Sequence, residues 1–169
     1  IWAKGSYPLT IHYVYASGGA AKPDHTEVLN FGAPYSVISP SIPGYTADKP
    51  VVTGTMPAAP VTVTVTYTAS TGTPYEVHHY LERLEGAYPA VPHEKDNLRG
   101  ETGAWTAAAA KSYDGFTPIE FEQKRIKADD STVVEIFYTR NSYLLTYKDS
   151  LSAGVYASQT YKYGAAVTA

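Results

Sequence analysis

Hydrophobic and polar residues alternate along several short segments of the chain, and this period of two predicts β-strands. The clearest segment, residues 61–67, alternates valine with threonine and ends at a tyrosine. Residues 9–15 alternate leucine, isoleucine and tyrosine with threonine, histidine and valine, and residues 75–81 and 143–147 show a similar alternation. The apolar face of each strand is expected to be buried. The pattern therefore predicts a mainly β fold, α+β at most, in which the alanines of residues 107–110 form no more than a short helical turn.

The strand pattern repeats along the chain at a constant offset of 71 residues. A Gly-Ala pair, a Gly-aromatic-Thr turn and a closing tyrosine keep this offset, at Gly32 and Gly103, Gly44 and Gly115, and Tyr67 and Tyr138. Such a fixed period indicates a tandem array of small modules. Within each module, the first and last strands are predicted to build the sheet, with the aromatic residue of the turn filling the core between them.

The module boundaries follow from this offset. The first module is predicted at residues 7–70 and the second at residues 74–140. The segment that leads out of the second module resembles the start of the chain. Residues 1–6 are therefore interpreted as the end of a preceding module, and residues 141–169 as the truncated start of a third. An isolated hairpin is marginally stable in water, so this last segment is expected to dock on the second module, to pair with another chain or to be poorly ordered.

The two modules differ in the connection that follows their first strand. The first module has a Gly-rich turn at residues 17–19, whereas the second has a longer loop, predicted from Glu82 to Asp96. Loops added to a rigid sheet are where binding surfaces commonly arise. Recognition is therefore predicted on the second module and not on the first.

Composition excludes several classes of function. The 169-residue chain has a net charge of −3, and its 13 Lys and Arg residues are scattered, so it has no basic stripe for nucleic acid. No apolar run is long enough to span a membrane. The absence of cysteine excludes disulfides and thiolate metal sites. The 16 Tyr, against 4 Phe and 2 Trp, suit an all-β surface protein better than a cytosolic enzyme.

The sequence carries no motif that supports catalysis or a cofactor. It lacks a Gly-rich phosphate loop, a GxSxG turn and an HExxH pair. His78 and His79 are neighbours on a predicted strand, so their side chains should point to opposite faces and not share a metal ion. This pair is interpreted as solvated or half-packed. We therefore expect no enzymatic activity, no metal site and no cofactor.

Several short segments carry a resemblance to known families of surface repeats. The first module resembles the mucin-binding-protein (MucBP) repeat through Leu9–Tyr15, Phe31–Tyr35, Ile42–Thr46 and Val61–Tyr67. The second module looks like the related internalin B-type repeat through Tyr75–Leu81, Gly103, Tyr113–Phe116 and Ile136–Tyr138, and the tail Ala157–Gly164 is similar to the second strand of that class. The resemblance implies tandem small β-grasp-like modules in an elongated array. It also implies an extracellular, cell-wall-attached surface protein of a Gram-positive bacterium.

Aromatic residues of the second module are the candidate binding groups, because tyrosine and tryptophan combine an apolar face with a hydrogen-bonding tip. Charged neighbours would orient the hydroxyls or charged groups of a ligand. The candidate ligand-binding residues are Tyr80, Tyr88, Trp105, Tyr113, Glu94, Asp96 and Arg99. In the alternative interpretation, the tyrosines only pack across strands, and Trp105 fills the core where the first module has Pro34.

Adhesion is the leading function that these features predict. The chain would be a non-catalytic extracellular repeat region of a surface adhesin, with host mucin, glycan or glycoprotein as its partner besides the adjacent repeats. A structural stalk with no ligand of its own is the alternative. An accessory module of a secreted carbohydrate-active enzyme is a distant third. An adhesin needs an exposed aromatic patch, whereas a stalk needs only rigid junctions.

Overall fold

The computed structural model describes residues 5–148 and 155–167. The described residues form β-strands and no helix, so the fold is all-β. The strands, in chain order, are β1 (Ser6–Tyr15), β2 (Ala20–Asn30), β3 (Pro34–Ile38), β4 (Tyr45–Ala47), β5 (Val51–Thr55), β6 (Val61–Ala69), β7 (Thr73–Leu81), β8 (Glu94–Gly100), β9 (Phe116–Pro118), β10 (Val133–Arg140), β11 (Ser142–Lys148) and β12 (Val155–Lys162).

The chain folds into two compact units. The first unit holds the described residues up to Thr73, together with Gly100–Gly103 and Lys127–Asp129. The second unit holds Pro74–Arg99, Ala104–Ile126 and the described residues from Asp130 onward. The module boundaries drawn from the sequence stay a prediction.

The first unit is built on a four-stranded mixed sheet with the order β2-β1-β6-β4. Its first and last long strands, β1 and β6, lie side by side, as the alternation predicted; they run parallel, with Tyr15 opposite Tyr67. A second sheet pairs β3 with β5. The buried core combines the inward face of the first sheet with residues at and just after β5, namely Leu9, Ile11, Tyr13, Val65 and Tyr67 with Val52 and Met56.

The second unit repeats this plan with the strand order β8-β7-β10-β9. Strands β7 and β10 are parallel, and Leu81 lies opposite Tyr138 as Tyr15 lies opposite Tyr67. A single bridge between Trp105 and Arg125 stands where the first unit has the β3–β5 sheet. The core consists of Tyr75, Val77, Ala108, Ile126, Val134, Ile136 and Tyr138.

One expectation about these cores is borne out in part and another was wrong. Tyr45 and Phe116, expected to fill the core between the first and last strands, pack against the core but are only half-buried, because they lie on the edge strands β4 and β9. The alanine run at residues 107–110 forms no helical turn, because side chains satisfy its backbone groups in an extended conformation. Gln123 bonds both the amide and the carbonyl of Ala108, and the Tyr75 hydroxyl accepts from the amide of residue 107.

Strands β11 and β12 form an antiparallel hairpin within the second unit. The hairpin contacts the body of the unit, since Lys162 Nζ donates to Glu82 Oε1 at 2.8 Å and Arg140 donates to the carbonyl of Tyr163 at 2.8 Å. Docking on the second module was one of the three expected outcomes for this segment. Its interpretation as the start of a third module stays a prediction.

Candidate functional site

The two candidate carboxylates, Glu94 and Asp96, belong to strand β8 and not to a loop, because the loop ends before residue 94. Both contact one ammonium group. Lys111 Nζ donates to Glu94 Oε1 at 2.7 Å and also bonds Asp96 Oδ1. The hydrogen bond from Lys111 holds the pKa of each carboxyl below its usual value, and Asp96 in turn raises the pKa of Lys111. Lys111 is thus shared between two partly exposed carboxylates, and all three side chains are engaged in contacts within the unit.

A buried histidine connects this ion cluster to the core. His79 is fully buried, and its Nε2 lies 3.1 Å from Asp96 Oδ2. Its Nδ1 lies 2.8 Å from the Tyr138 hydroxyl, which also accepts from the backbone amide of Lys111 at 2.8 Å. If the ring hydrogen is on Nε2, this nitrogen donates to Asp96 and Nδ1 accepts from the Tyr138 hydroxyl, so both ring nitrogens are hydrogen-bonded. The expectation of a solvated or half-packed His79 was therefore wrong.

The equivalent position in the first unit is simpler. The strand registers place Tyr13 where the second unit has His79, and Tyr67 where it has Tyr138. The Tyr67 hydroxyl donates to the carbonyl oxygen of Pro40 at 2.6 Å. Proline has no amide hydrogen, so the first unit cannot form the amide-to-hydroxyl bond that the second unit forms. The polar chain through the histidine is thus particular to the second module.

Tyr113, another candidate, closes this cluster from the outside. It is half-buried, and its hydroxyl donates to Glu94 Oε2 at 2.6 Å. Its ring meets the ring of Tyr138 edge-on, with centroids 4.9 Å apart. Burial raises the pKa of Tyr113, and the neighbouring Glu94 adds to this effect. Both the hydroxyl and the ring of Tyr113 therefore make contacts within the unit.

Two further candidates pack on the opposite face of the sheet. Tyr80 is 8% exposed and stacks on Phe137 with ring centroids 5.0 Å apart. Tyr88, in the inserted loop, meets the same Phe137 ring edge-on at 4.9 Å. His78 also contacts Tyr80 from this face, so the two adjacent histidines do point to opposite faces, as predicted. The inserted loop therefore covers a sheet face that would otherwise expose aromatic rings.

Arg99 lies apart from the other charged candidates. It is exposed on β8, three positions after Asp96. Because side chains alternate along a strand, this odd spacing directs Arg99 to the face opposite Asp96. Glu94, Asp96 and Tyr113 are therefore brought together, whereas Arg99 is not.

Trp105 is the candidate aromatic residue whose ring is mainly in solvent. It is 58% exposed, so the expectation that it fills the core was wrong. The reason is local: the extended segment buries Thr106 and Ala108 and turns the intervening positions outward. The Arg125 guanidinium lies 4.2 Å from the centroid of the indole ring, and the two residues also form a backbone bridge. The indole is thereby held in a fixed position on the surface.

An open surface pocket of about 620 Å³ lies beside the indole and is lined by Trp105, Glu122 and Gln123. Gln123 is held in place because its Oε1 accepts from Thr106 Oγ1 at 2.6 Å and from a backbone amide. Glu122 is exposed and also lines a neighbouring depression. Glu122, Gln123 and Arg125 were not among the residues predicted from the sequence. The one signal concerned Arg125, which the offset of 71 relates to a residue of β5.

The imidazole of the polar chain in the second unit is closed to solvent. His79, Asp96 and Tyr138 form a hydrogen-bonded series, but the imidazole is fully buried and out of reach of a substrate. No group of three or more metal-ligating side chains occurs in the part of the chain that the structure describes. Over the same residues, no helix is long and apolar enough to cross a membrane.

Comparison with known proteins identifies the first module. The family model of the MucBP domain matches residues 8–68, which confirms the resemblance stated for that module. The internalin B-type resemblance of the second module stays a prediction. No curated protein matches the chain.

Solved structures similar to this chain come from bacterial surface proteins. The MucBP domain of an adhesion protein from Pediococcus pentosaceus has 26% identity over 39% of this chain and 99% of that one, with a TM-score of 0.33. A MucBP domain from Lactobacillus acidophilus also has 26% identity, over 40% of this chain and 93% of that one, with a TM-score of 0.32. Streptococcal High Identity Repeats in Tandem domains 3–4 from a cell surface protein have 13% identity over 79% and 96%, with a TM-score of 0.30.

Proposed function

We infer that this chain, which carries a MucBP repeat at residues 8–68, is a repeat region of a surface adhesin that binds mucin-type glycans through its second module. MucBP repeats are non-enzymatic, adhesin-like modules of extracellular surface proteins of Gram-positive bacteria. Attachment to the cell wall and a host mucin or glycoprotein partner are parts of the proposal. The observation that carries the binding site is the exposed ring of Trp105 beside the pocket that Glu122 and Gln123 line.

The indole offers the contact that a sugar ring needs. An aromatic face packs against the C–H groups of a sugar, and a ring that is already fixed loses little conformational entropy on binding. Arg125 fixes the ring of Trp105 through an exposed cation–π contact, worth about 0.5–1 kcal/mol. The exposed carboxylate of Glu122 would accept hydrogen bonds from sugar hydroxyls. The amide of Gln123 is already hydrogen-bonded and shapes the floor of the pocket.

The other candidate residues have supporting roles in this proposal. Tyr80 and Tyr88 pack against Phe137, and Glu94, Asp96 and Tyr113 bond within the ion cluster of the unit. They would stabilise the module that presents the indole. Arg99, exposed on β8, is proposed as a secondary contact for charged sugar groups.

The stalk remains the second candidate function, favoured by a specific observation. The residue that follows each closing strand, Ser70 or Asn141, donates its amide to the carbonyl of a Gly-turn glycine, at 2.7 and 2.8 Å respectively. A hydrogen-bonded turn at the end of each module is a feature that suits a spacer. In that case the exposed indole has no ligand.

Binding to immobilised mucin and to a glycan array separates the two functions. Trp105→Ala should lower the affinity roughly tenfold, because an aromatic contact contributes about 0.5–1.5 kcal/mol beyond its buried area and 1.4 kcal/mol is tenfold. Trp105→Phe should restore part of the loss. Tyr143→Ala, at an aromatic residue 53% exposed on β11, is the matched control and should leave affinity unchanged.

The melting temperature of each variant is measured alongside the affinity. Because the indole is largely solvated, Trp105→Ala is expected to leave the melting temperature of the second unit nearly unchanged. Parent-level mucin binding by Trp105→Ala would contradict the glycan-binding proposal. Absence of binding by the parent chain itself would leave the stalk as the better function.

A further inference from the structure

A three-residue contact holds the β11–β12 hairpin to the second unit. The amide of Asn141 donates to the carbonyl oxygen of Gly115 at 2.8 Å, and the carbonyl of Asn141 accepts from the amide of Tyr163 at 2.7 Å. Gly115 has a φ of 77°, and a Cβ there would collide with the ring of Tyr163. The aromatic residue therefore lies directly on the glycine, and only glycine permits this approach.

The same contact occurs within the first unit. The amide of Ser70 donates to the carbonyl oxygen of Gly44 at 2.7 Å, and the carbonyl of Ser70 accepts from the amide of Thr102 at 2.8 Å. Gly44 has a φ of 74°, and a Cβ there would lie 2.7 Å from Thr102 Oγ1. The repeated geometry defines a docking contact between a glycine turn and the base of a hairpin, meaning a residue shortly before its first strand and the residues just after its second.

Strand pairing explains why the contact recurs. The strand that follows each glycine turn pairs with the end of the closing strand, so that Tyr45 lies opposite Ala69 and Phe116 lies opposite Arg140. The residue that follows the closing strand is therefore always next to the turn.

A third hairpin base of this kind lies at the start of the first unit. The carbonyl of Gly5 accepts from the amide of Phe31 at 2.9 Å, as the carbonyls of Ser70 and Asn141 accept at their hairpins. Gly32 follows with a φ of 79°, which matches the values of 81° and 75° at the glycines after the other two hairpins. Within residues 5–148 and 155–167, no glycine turn contacts this base, and Phe31 is 47% exposed.

We propose that Gly5 and Phe31 form a docking surface for the glycine turn of another copy of this module, placed directly before Gly5. The Gly5 amide would donate to the carbonyl of that glycine, and the ring of Phe31 would lie on it as Tyr163 lies on Gly115. The partner is thus another repeat of the same class, in tandem, and the proposal does not depend on glycan binding.

The test extends the protein by one module. In the extended chain, a second copy of residues 1–69 precedes residue 5 of the full chain, so that Gly5 takes the place of Ser70. Amide hydrogen exchange at Gly5, followed by NMR, is expected to slow by roughly tenfold or more relative to the parent chain. Phe31→Ala is expected to lower the melting temperature of the adjoining unit by about 4 °C more in the extended chain than in the parent.

Two variants provide the controls. Val28→Ala, at an exposed position of β2 away from the hairpin base, should change the melting temperature of the adjoining unit equally in both chains. Gly44→Ala in the added copy alone should return the exchange of the Gly5 amide to its rate in the parent. Equal exchange at Gly5 in the two chains overturns the proposal.

Discussion

Replacing Tyr138 with phenylalanine is predicted to destabilise the second unit more than the equivalent change at Tyr67 destabilises the first. The Tyr138 hydroxyl bonds two groups, the backbone amide of Lys111 and Nδ1 of His79, both at 2.8 Å. The Tyr67 hydroxyl bonds one group, a backbone carbonyl, at 2.6 Å. The two rings are at most 1% exposed, so the loss of packing is matched and the difference reports on the hydrogen bonds.

The magnitudes follow from the number of groups left unpaired. A hydrogen bond contributes about 0.5–1.5 kcal/mol net, and an unsatisfied buried partner costs about 1–3 kcal/mol. Tyr67→Phe leaves one carbonyl without this bond, for an expected loss of about 1–2 kcal/mol. Tyr138→Phe leaves a fully buried imidazole nitrogen and a backbone amide unpaired, for about 2–4 kcal/mol. The second unit should therefore lose about 1.5 kcal/mol more than the first, which is the difference between the midpoints of these two ranges.

Native-state hydrogen exchange measures the two units separately in one chain. Amides of β6 report the free energy of opening of the first unit, and amides of β10 report that of the second. Each variant should affect the strands of its own unit. An equal or smaller loss for Tyr138→Phe than for Tyr67→Phe would refute the role assigned to the buried histidine chain.

Three further predictions concern the second unit. The pKa of Asp96 is lowered in the folded state, so this residue contributes stability that is present above about pH 4 and is lost as the pH falls below that value. The urea midpoint of the second unit should therefore drop on acidification, and the drop should be smaller in Lys111→Met. Gly115→Ala should destabilise the unit by at least about 1 kcal/mol in thermal unfolding, whereas Gly86→Ala, also at positive φ but without a close contact, should cost less. Tyr88→Ala should speed proteolysis within residues 82–93 while the amides of β7 keep their protection, and a loop cleaved at the parental rate would contradict its packing role.

The strands and their pairing were predictable because buried strands leave a simple trace in the sequence. The alternation at residues 61–67 and its counterpart 71 residues later place valines and closing tyrosines on one face. Burial of that face fixes the register, since a shift by one residue would expose it. The prediction that the first and last strands of each module lie together in one sheet is confirmed, whereas their parallel direction does not follow from the alternation.

The details of the candidate site were not predictable in the same way. His79 is buried because strand pairing brings Asp96 and Tyr138 to its two nitrogens, and these partners are 17 and 59 residues away in the sequence. The exposure of Trp105 depends on which face of an irregular extended segment it occupies, and such a segment lacks a strong period. The partnership with Arg125 arises across a single bridge, which leaves no motif.

An NMR titration of the chain with mucin-type O-glycans tests glycan recognition by the second module, because it locates the recognition surface without changing a residue. We expect a saturable chemical-shift change of the Trp105 indole N–H and of the amides of residues 120–125, while the amide signals of β1 do not shift. A Trp2→Phe sample assigns the indole signal. Shifts confined to the first module, or none at glycan concentrations that saturate binding to immobilised mucin, would contradict the claim that the second module carries recognition.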